Sequence, residues 1–134
     1  MKDREVNNFK METVVEVGSV FLKPLYICIF SRLDLTIISA KDLAVADYNG
    51  SSDPYAYVEL VDTHLGHSLS KMYTFKTSTI SKSLNPLWLE SLQWMDITTP
   101  FNRVALRISL YDSDFVGIDT FLGMVQIPFP QLLK

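Results

Sequence analysis

Apolar and polar side chains alternate along several short stretches of this chain. Between residues 103 and 111 the large apolar side chains fall on every second position, at Val104, Leu106, Ile108 and Leu110. This period of two predicts a strand with one buried face. Similar runs predict strands at residues 33–40, 55–61, 73–80, 88–94 and 121–129. No stretch has sustained helical periodicity, so the pattern predicts an all-β antiparallel sandwich.

The first thirty residues are harder to interpret. Residues 13–21 are rich in valine and predict a strand that ends at Lys23-Pro24, because proline interrupts a ladder. Residues 25–30 are apolar at nearly every position, which is typical of a covered central strand, with Cys28 as a small core residue. We expect a flexible tail at residues 1–11 and one domain at 12–134, with its core between 33 and 129.

Composition and charge limit the class of protein. The 134 residues are 48% hydrophobic and carry a net charge of -3, which argues against a general nucleic-acid binder. The one cysteine indicates a reducing compartment, so we expect a cytoplasmic protein. The apolar stretch at 14–30 is interrupted by Glu16, Lys23 and Pro24, and is too short to span a bilayer. Any membrane contact should therefore be peripheral.

Two loops between predicted strands are acidic. Asp112, Asp114 and Asp119 lie between the strands at 103–111 and 121–129, and Asp47 and Asp53 lie between those at 33–40 and 55–61. If both loops lie at one end of a sandwich, at least four carboxylates converge. Their repulsion favours a hard cation with oxygen ligands, for which calcium is well suited. The alternative is a pair of solvated turns, since aspartate favours turns in any case.

Three motifs carry a resemblance to a known family. The segments SSDPYAYVEL, LNPLWLE and LYDSD…DTFLG, at residues 51–60, 84–90 and 110–123, resemble those of the C2 domain family. The resemblance implies an eight-stranded antiparallel Greek-key β-sandwich that binds calcium and phospholipid in signalling or trafficking. Family members usually continue for one more strand. Either residues 13–21 fill that edge or the chain is part of a longer protein.

The resemblance also implies a set of calcium ligands. Asp47, Asp53, Asp112 and Asp114 match four of the five aspartates of the family. The fifth position holds Thr120, with Asp119 one place earlier, so both remain candidate ligands. The alternative is an acidic but empty pair of loops, as in family members that bind no calcium. Leu89 is a second departure, because the family usually has asparagine there.

Apolar residues lie at the tips of the two acidic loops. Tyr48, Phe115 and Val116 are candidates for membrane contact, since an aromatic ring beside a calcium site can enter the interfacial region of a bilayer. Alternatively, these side chains fold back onto the edge of the sandwich.

No arrangement of residues indicates catalysis, so we expect a binding module and not an enzyme. The favoured function is calcium-dependent binding to an anionic phospholipid membrane surface, as a membrane-targeting module. One alternative is a calcium-independent C2-like module that binds other proteins. A third is a metal-dependent phosphodiester hydrolase, which would also use carboxylates but usually recruits histidines or a nucleophile.

Overall fold

Two antiparallel sheets pack face to face in the computed structural model, which describes residues 13–47 and 50–133. One sheet has the strand order β1-β2-β3-β7, and the other has the order β5-β4-β8-β9, with β6 also paired to β4. The strands are β1 (Val15–Val17), β2 (Val20–Ile27), β3 (Arg32–Ala40), β4 (Pro54–Asp62), β5 (His67–Ser68), β6 (Thr74–Lys76), β7 (Leu87–Trp94), β8 (Val104–Asp112) and β9 (Thr120–Pro128). A four-residue helix, α1 (Phe129–Leu132), follows β9.

The predicted all-β sandwich is confirmed. The non-consecutive pairings β3–β7 and β4–β8 are the crossovers expected of a Greek key. Nine strands are present among the described residues, where eight were expected. The buried core lies between the sheets and includes Leu35, Val58 and Ile108, each from an alternating strand. Trp88 and Trp94 are also buried, at 7% exposure each, as the inward positions of β7 require.

The N-terminal prediction was wrong in its details. Residues 13–21 are not one strand: the chain turns at Gly18 and forms a hairpin, in which Val15 pairs with Leu22 and Val17 with Val20. Pro24 does not end a strand but lies inside β2, opposite Leu35. β1 pairs with β2 only as far as Leu22, so within residues 13–47 and 50–133 Pro24 has a paired strand on one side, where proline is tolerated.

Residues 25–30 do not form one central strand. β2 ends at Ile27, and Cys28–Phe30 form a 3₁₀ turn closed by the Ser31 amide, which donates to the Cys28 carbonyl at 3.0 Å. Cys28 is exposed and is not the core residue that we expected. The predicted strand at 73–80 is reduced to the three residues of β6. The tail expected at residues 1–11 falls outside the described residues.

The pairing of β4 with β8 brings the two acidic loops together. The strands are antiparallel, and Pro54 at the start of β4 pairs with Asp112 at the end of β8. The loop before β4 and the loop after β8 therefore lie at the same end of the sandwich. Over residues 13–47 and 50–133, no helix is long and apolar enough to cross a membrane.

Candidate metal centre

The loop before β4 is held by a buried serine. Ser52 has no exposed surface, and its hydroxyl donates to the Ala44 carbonyl at 2.9 Å while accepting from the Ala46 amide at 3.0 Å. The Asp47 carbonyl accepts from the Gly50 amide at 3.0 Å, and the Asp47 amide donates to the Ser51 carbonyl at 2.9 Å. Ser52 thereby ties the backbone before Asp47 to the start of β4.

Hydrogen bonds from two backbone amides join the two acidic loops directly. The Asp53 amide donates to Asp112 Oδ1 at 2.6 Å, and the Ser113 amide donates to the Asp53 carbonyl at 2.9 Å. The Asp53 carboxylate in turn accepts from the Lys82 amide at 2.6 Å through Oδ1. The two loops are thus held together, and each contributes carboxylates to the same end of the sandwich.

Three of the predicted ligands converge. One carboxylate oxygen each from Asp47, Asp53 and Asp112 lie within 4.8 Å of one another. Asp47 and Asp53 are partly exposed, whereas Asp112 is 1% exposed. An ion at this position would therefore have a buried ligand beneath it and accessible ligands beside it.

Asp112 has an oxygen that nothing in the described part of the chain satisfies. Oδ2 is buried and has no hydrogen-bond partner there, although Oδ1 accepts from the Asp53 amide. Burial raises the pKa of Asp112, and the nearby carboxylates of Asp114 and Asp47 raise it further. An unpaired carboxylate oxygen in such a position is costly unless a cation binds it. The donor set fits calcium, which accepts carboxylate oxygens in a flexible geometry.

Asp114 and Thr120 lie beside this cluster and contact each other. The Thr120 hydroxyl donates to Asp114 Oδ2 at 3.1 Å. Thr120 is also the first residue of β9 and pairs with Asp112 of β8. Asp114 is near enough to Asp112 for its carboxylate to raise the pKa of Asp112 through charge repulsion.

Asp119 points to a different set of partners. Its Oδ2 accepts from the Tyr55 hydroxyl at 2.6 Å, and its Oδ1 accepts from the Asp114 amide at 3.0 Å. The hydrogen bond from Tyr55 lowers the pKa of Asp119, and that from the Asp114 amide lowers it further. One carboxylate oxygen is bonded to β4 and the other to the loop backbone, and Asp119 is not a member of the converging group.

The apolar tip of the loop after β8 projects from the protein. Phe115 is fully exposed and Val116 is 81% exposed, so neither folds back onto the sandwich. Ile118, which sequence analysis did not select, is 90% exposed. Its position between Gly117 and Asp119 in the acidic loop is enough to predict this exposure from the sequence. Tyr48, the fourth apolar residue, lies outside the described residues.

The unusual residue Leu89 has a backbone conformation that explains the family preference. Its φ is 53°, in the left-handed region, at a point in β7 where the register with β3 shifts between Ile37 and Ser39. Asparagine tolerates this region better than leucine does. Leu89 is 61% exposed, so its side chain contributes little packing in return.

Comparison with protein-family models identifies the fold family. Residues 31–134 match the model described as "C2 domain". Among curated proteins, the chain is 36% identical to Synaptotagmin-4 of Arabidopsis thaliana over 107 residues, which are 76% of this chain and 16% of that protein. It is 35% identical to Rabphilin-1 of Caenorhabditis elegans over 117 residues, which are 87% of this chain and 10% of that protein.

Structural comparison gives the same result for the fold. A C2 domain of RIM from Drosophila matches with a TM-score of 0.72 and 24% identity, covering 87% of this chain and 89% of that one. The C2-like sandwich is thus confirmed, although this chain spans only a small part of the curated relatives named above. The matches support a membrane-targeting or interaction module.

Proposed function

Because the chain belongs to the C2 domain family, we propose that it is a membrane-targeting module that binds anionic phospholipid in a calcium-dependent way. The observation that carries this proposal is the buried, unpaired Oδ2 of Asp112, beside which the carboxylates of Asp47 and Asp53 converge. A cation at this position would remove both the unpaired oxygen and the repulsion.

Four carboxylates are the proposed ligands of calcium. Asp47, Asp53 and Asp112 form the centre of the site, and Asp114 lies at its margin with Thr120 as a neutral neighbour. Bound calcium would supply positive charge and open coordination positions for the phosphate oxygens of a lipid headgroup. The role of the protein is to hold the carboxylates together at the accessible end of the sandwich.

The exposed tip is the proposed point of membrane contact. Phe115, Val116 and Ile118 are apolar, are almost fully exposed and lie within the loop that carries Asp114. Insertion of these side chains would bury apolar surface that water now covers, at about 25 cal/mol per Å². Tyr48 on the neighbouring loop is a further candidate. The proposed location is therefore peripheral, on the cytoplasmic face of a membrane.

Vesicle co-sedimentation tests the proposal. We expect binding to vesicles that contain phosphatidylserine in the presence of calcium, little binding with a chelator, and little binding to neutral phosphatidylcholine vesicles. Asp112→Asn should abolish the calcium-dependent part of vesicle binding, because it removes the buried negative charge. Binding that is equal with calcium and with chelator would contradict the proposal and favour a calcium-independent interaction module.

A second set of variants separates insertion from ion binding. Replacing Phe115, Val116 and Ile118 with alanine should weaken vesicle binding without weakening calcium binding measured by calorimetry. Leu65→Ala is the matched control, because Leu65 is 61% exposed but follows the other end of β4. If the triple variant binds vesicles as well as the parent protein, the tip does not insert.

A further inference from the structure

A tyrosine on β4 controls the position of one acidic side chain near the proposed ion site. We infer that Tyr55 holds Asp119 outside the carboxylate cluster and thereby limits the number of charges that meet the ion. The inference rests on the proposed function, since it concerns the same site. Its basis is the 2.6 Å hydrogen bond from the Tyr55 hydroxyl to Asp119 Oδ2.

Tyr55 is a rigid donor. Its side chain is 8% exposed, and its ring stacks on that of Tyr111 with a centroid distance of 5.6 Å and an interplanar angle of 20°. The ammonium of Lys76 lies 4.3 Å from the centroid of the Tyr55 ring, on the surface of the same sheet. These contacts fix the ring, so the hydroxyl is held in one place before any ion binds.

Asp119 is retained by a second bond that directs it to the loop. Oδ1 accepts from the Asp114 amide, so Asp119 closes the segment between residues 114 and 119. The position beside Asp114 Oδ2 is taken by the neutral hydroxyl of Thr120. Of the three aspartates at this end of β8, Asp112 belongs to the converging group, Asp114 lies at its margin, and Asp119 is directed to Tyr55.

Removing the tyrosine hydroxyl should release Asp119 toward the ion site. In Tyr55→Phe, Oδ2 of Asp119 loses its short hydrogen bond, while Asp119 remains adjacent to Asp114 at the margin of the site. The Lys76 ammonium attracts this carboxylate already, and in the calcium-loaded protein the doubly charged ion would attract it more strongly at equal distance. Asp119 then adds a charged ligand, and affinity in such sites rises with the number of charged ligands.

Calorimetry of calcium binding to the whole chain tests the inference. Tyr55→Phe should lower the Kd for calcium several-fold or add one bound ion per molecule. The gain should disappear in the double variant Tyr55→Phe/Asp119→Asn. Tyr57→Phe is the matched control, because Tyr57 lies two positions further along β4 on the same face, and it should bind as the parent does. As a direct readout, the NMR shift of the Asp119 carboxyl carbon should respond strongly to calcium only in Tyr55→Phe.

The outcomes separate this inference from the function on which it rests. If the parent protein binds no calcium, the proposed function fails. If the parent binds calcium but Tyr55→Phe binds with equal or lower affinity, the function stands and the inference is overturned, because Tyr55 then only orders the loop. A gain that persists in the double variant also overturns it, since Asp119 would not be its source.

Discussion

Asp112 and Thr120 are paired across β8 and β9. Only Asp112 carries a charge, so this pair contributes one carboxylate to the site. Asp112 is a buried carboxylate with an unpaired oxygen, whereas Thr120 offers a neutral hydroxyl that donates to Asp114. A hydroxyl cannot supply the charge or the bidentate reach of a carboxylate. The site should therefore bind fewer ions, or bind the outer ion more weakly, than a site with five aspartates.

Three substitutions test this assignment of ligands by calorimetric titration with calcium. Thr120→Asp should tighten binding, because it adds a charged ligand beside Asp114. Asp112→Asn should abolish binding, and Asp119→Asn should have little effect, because Asp119 is bonded to Tyr55 and the Asp114 amide. A loss in Asp119→Asn as large as that in Asp112→Asn would make Asp119 the fifth ligand.

Leu89 is a position where a single residue limits stability. Leu89→Asn should raise the free energy of unfolding by about 1 kcal/mol, because leucine is strained at a left-handed φ and asparagine is less so. Chemical denaturation measures the change. Leu89→Ala is the control, since it removes the same exposed side chain but keeps the strain. Equal stability of the asparagine and alanine variants would show that φ is not the cause.

The sequence indicates which carboxylates come together better than it indicates their hydrogen-bond partners. Aspartates in two loops between alternating strands are visible as a pattern, and the structure brings Asp47, Asp53 and Asp112 together. No sequence pattern indicates that Tyr55 bonds to Asp119, because this hydrogen bond spans 64 positions and depends on the register of three strands. In the sequence, Tyr55 has the pattern of an ordinary strand aromatic.

At the scale of elements, long alternating runs were predicted well and the short N-terminal ones were not. The predicted strands at 33–40, 88–94 and 103–111 are confirmed within a residue or two as β3, β7 and β8. The pattern over residues 13–21 gives no sign of the turn at Gly18 that makes the hairpin of β1 and β2. Pro24, predicted as a break, occupies a strand position that, among the described residues, has a paired neighbour on one side. Whether proline breaks a strand depends on its tertiary neighbours.

The turn between β1 and β2 makes a close contact that a point mutation can test. Gly18 has a φ of 59°, and a Cβ built on it would lie 2.6 Å from Cγ1 of Val125 on β9. Gly18→Ala should therefore cost about 1–3 kcal/mol of stability, through overpacking and backbone strain. Gly66→Ala is the matched control, because Gly66 has a φ of 79° but open space around it. Equal losses of melting temperature would show that the contact with Val125 is unimportant.

At the scale of the whole molecule, the ion site and the fold are thermodynamically linked. Calcium should raise the melting temperature, because it binds the assembled loops and not the unfolded chain. The gain is about 2.7 kcal/mol at a concentration roughly one hundred times the Kd. Differential scanning calorimetry with calcium and with chelator measures it, with Asp112→Asn as the control that should not respond. An unchanged melting temperature at saturating calcium would contradict the proposal that calcium binds at these loops.

The hydrogen bond between the Asp53 amide and Asp112 joins residues 59 positions apart, and this has a consequence for the order of folding events. The two loops meet only after β4 and β8 have paired in register, and such distant pairing is slow. We expect the loops to become ordered after the rate-limiting barrier, so that the ion recognises a structure absent from the transition state. Calcium should slow unfolding while leaving the refolding rate unchanged, as is expected for interactions absent from the transition state. Stopped-flow measurements in guanidinium, with and without calcium, give both rates. Faster refolding in calcium would show instead that the ion site is already formed in the folding transition state.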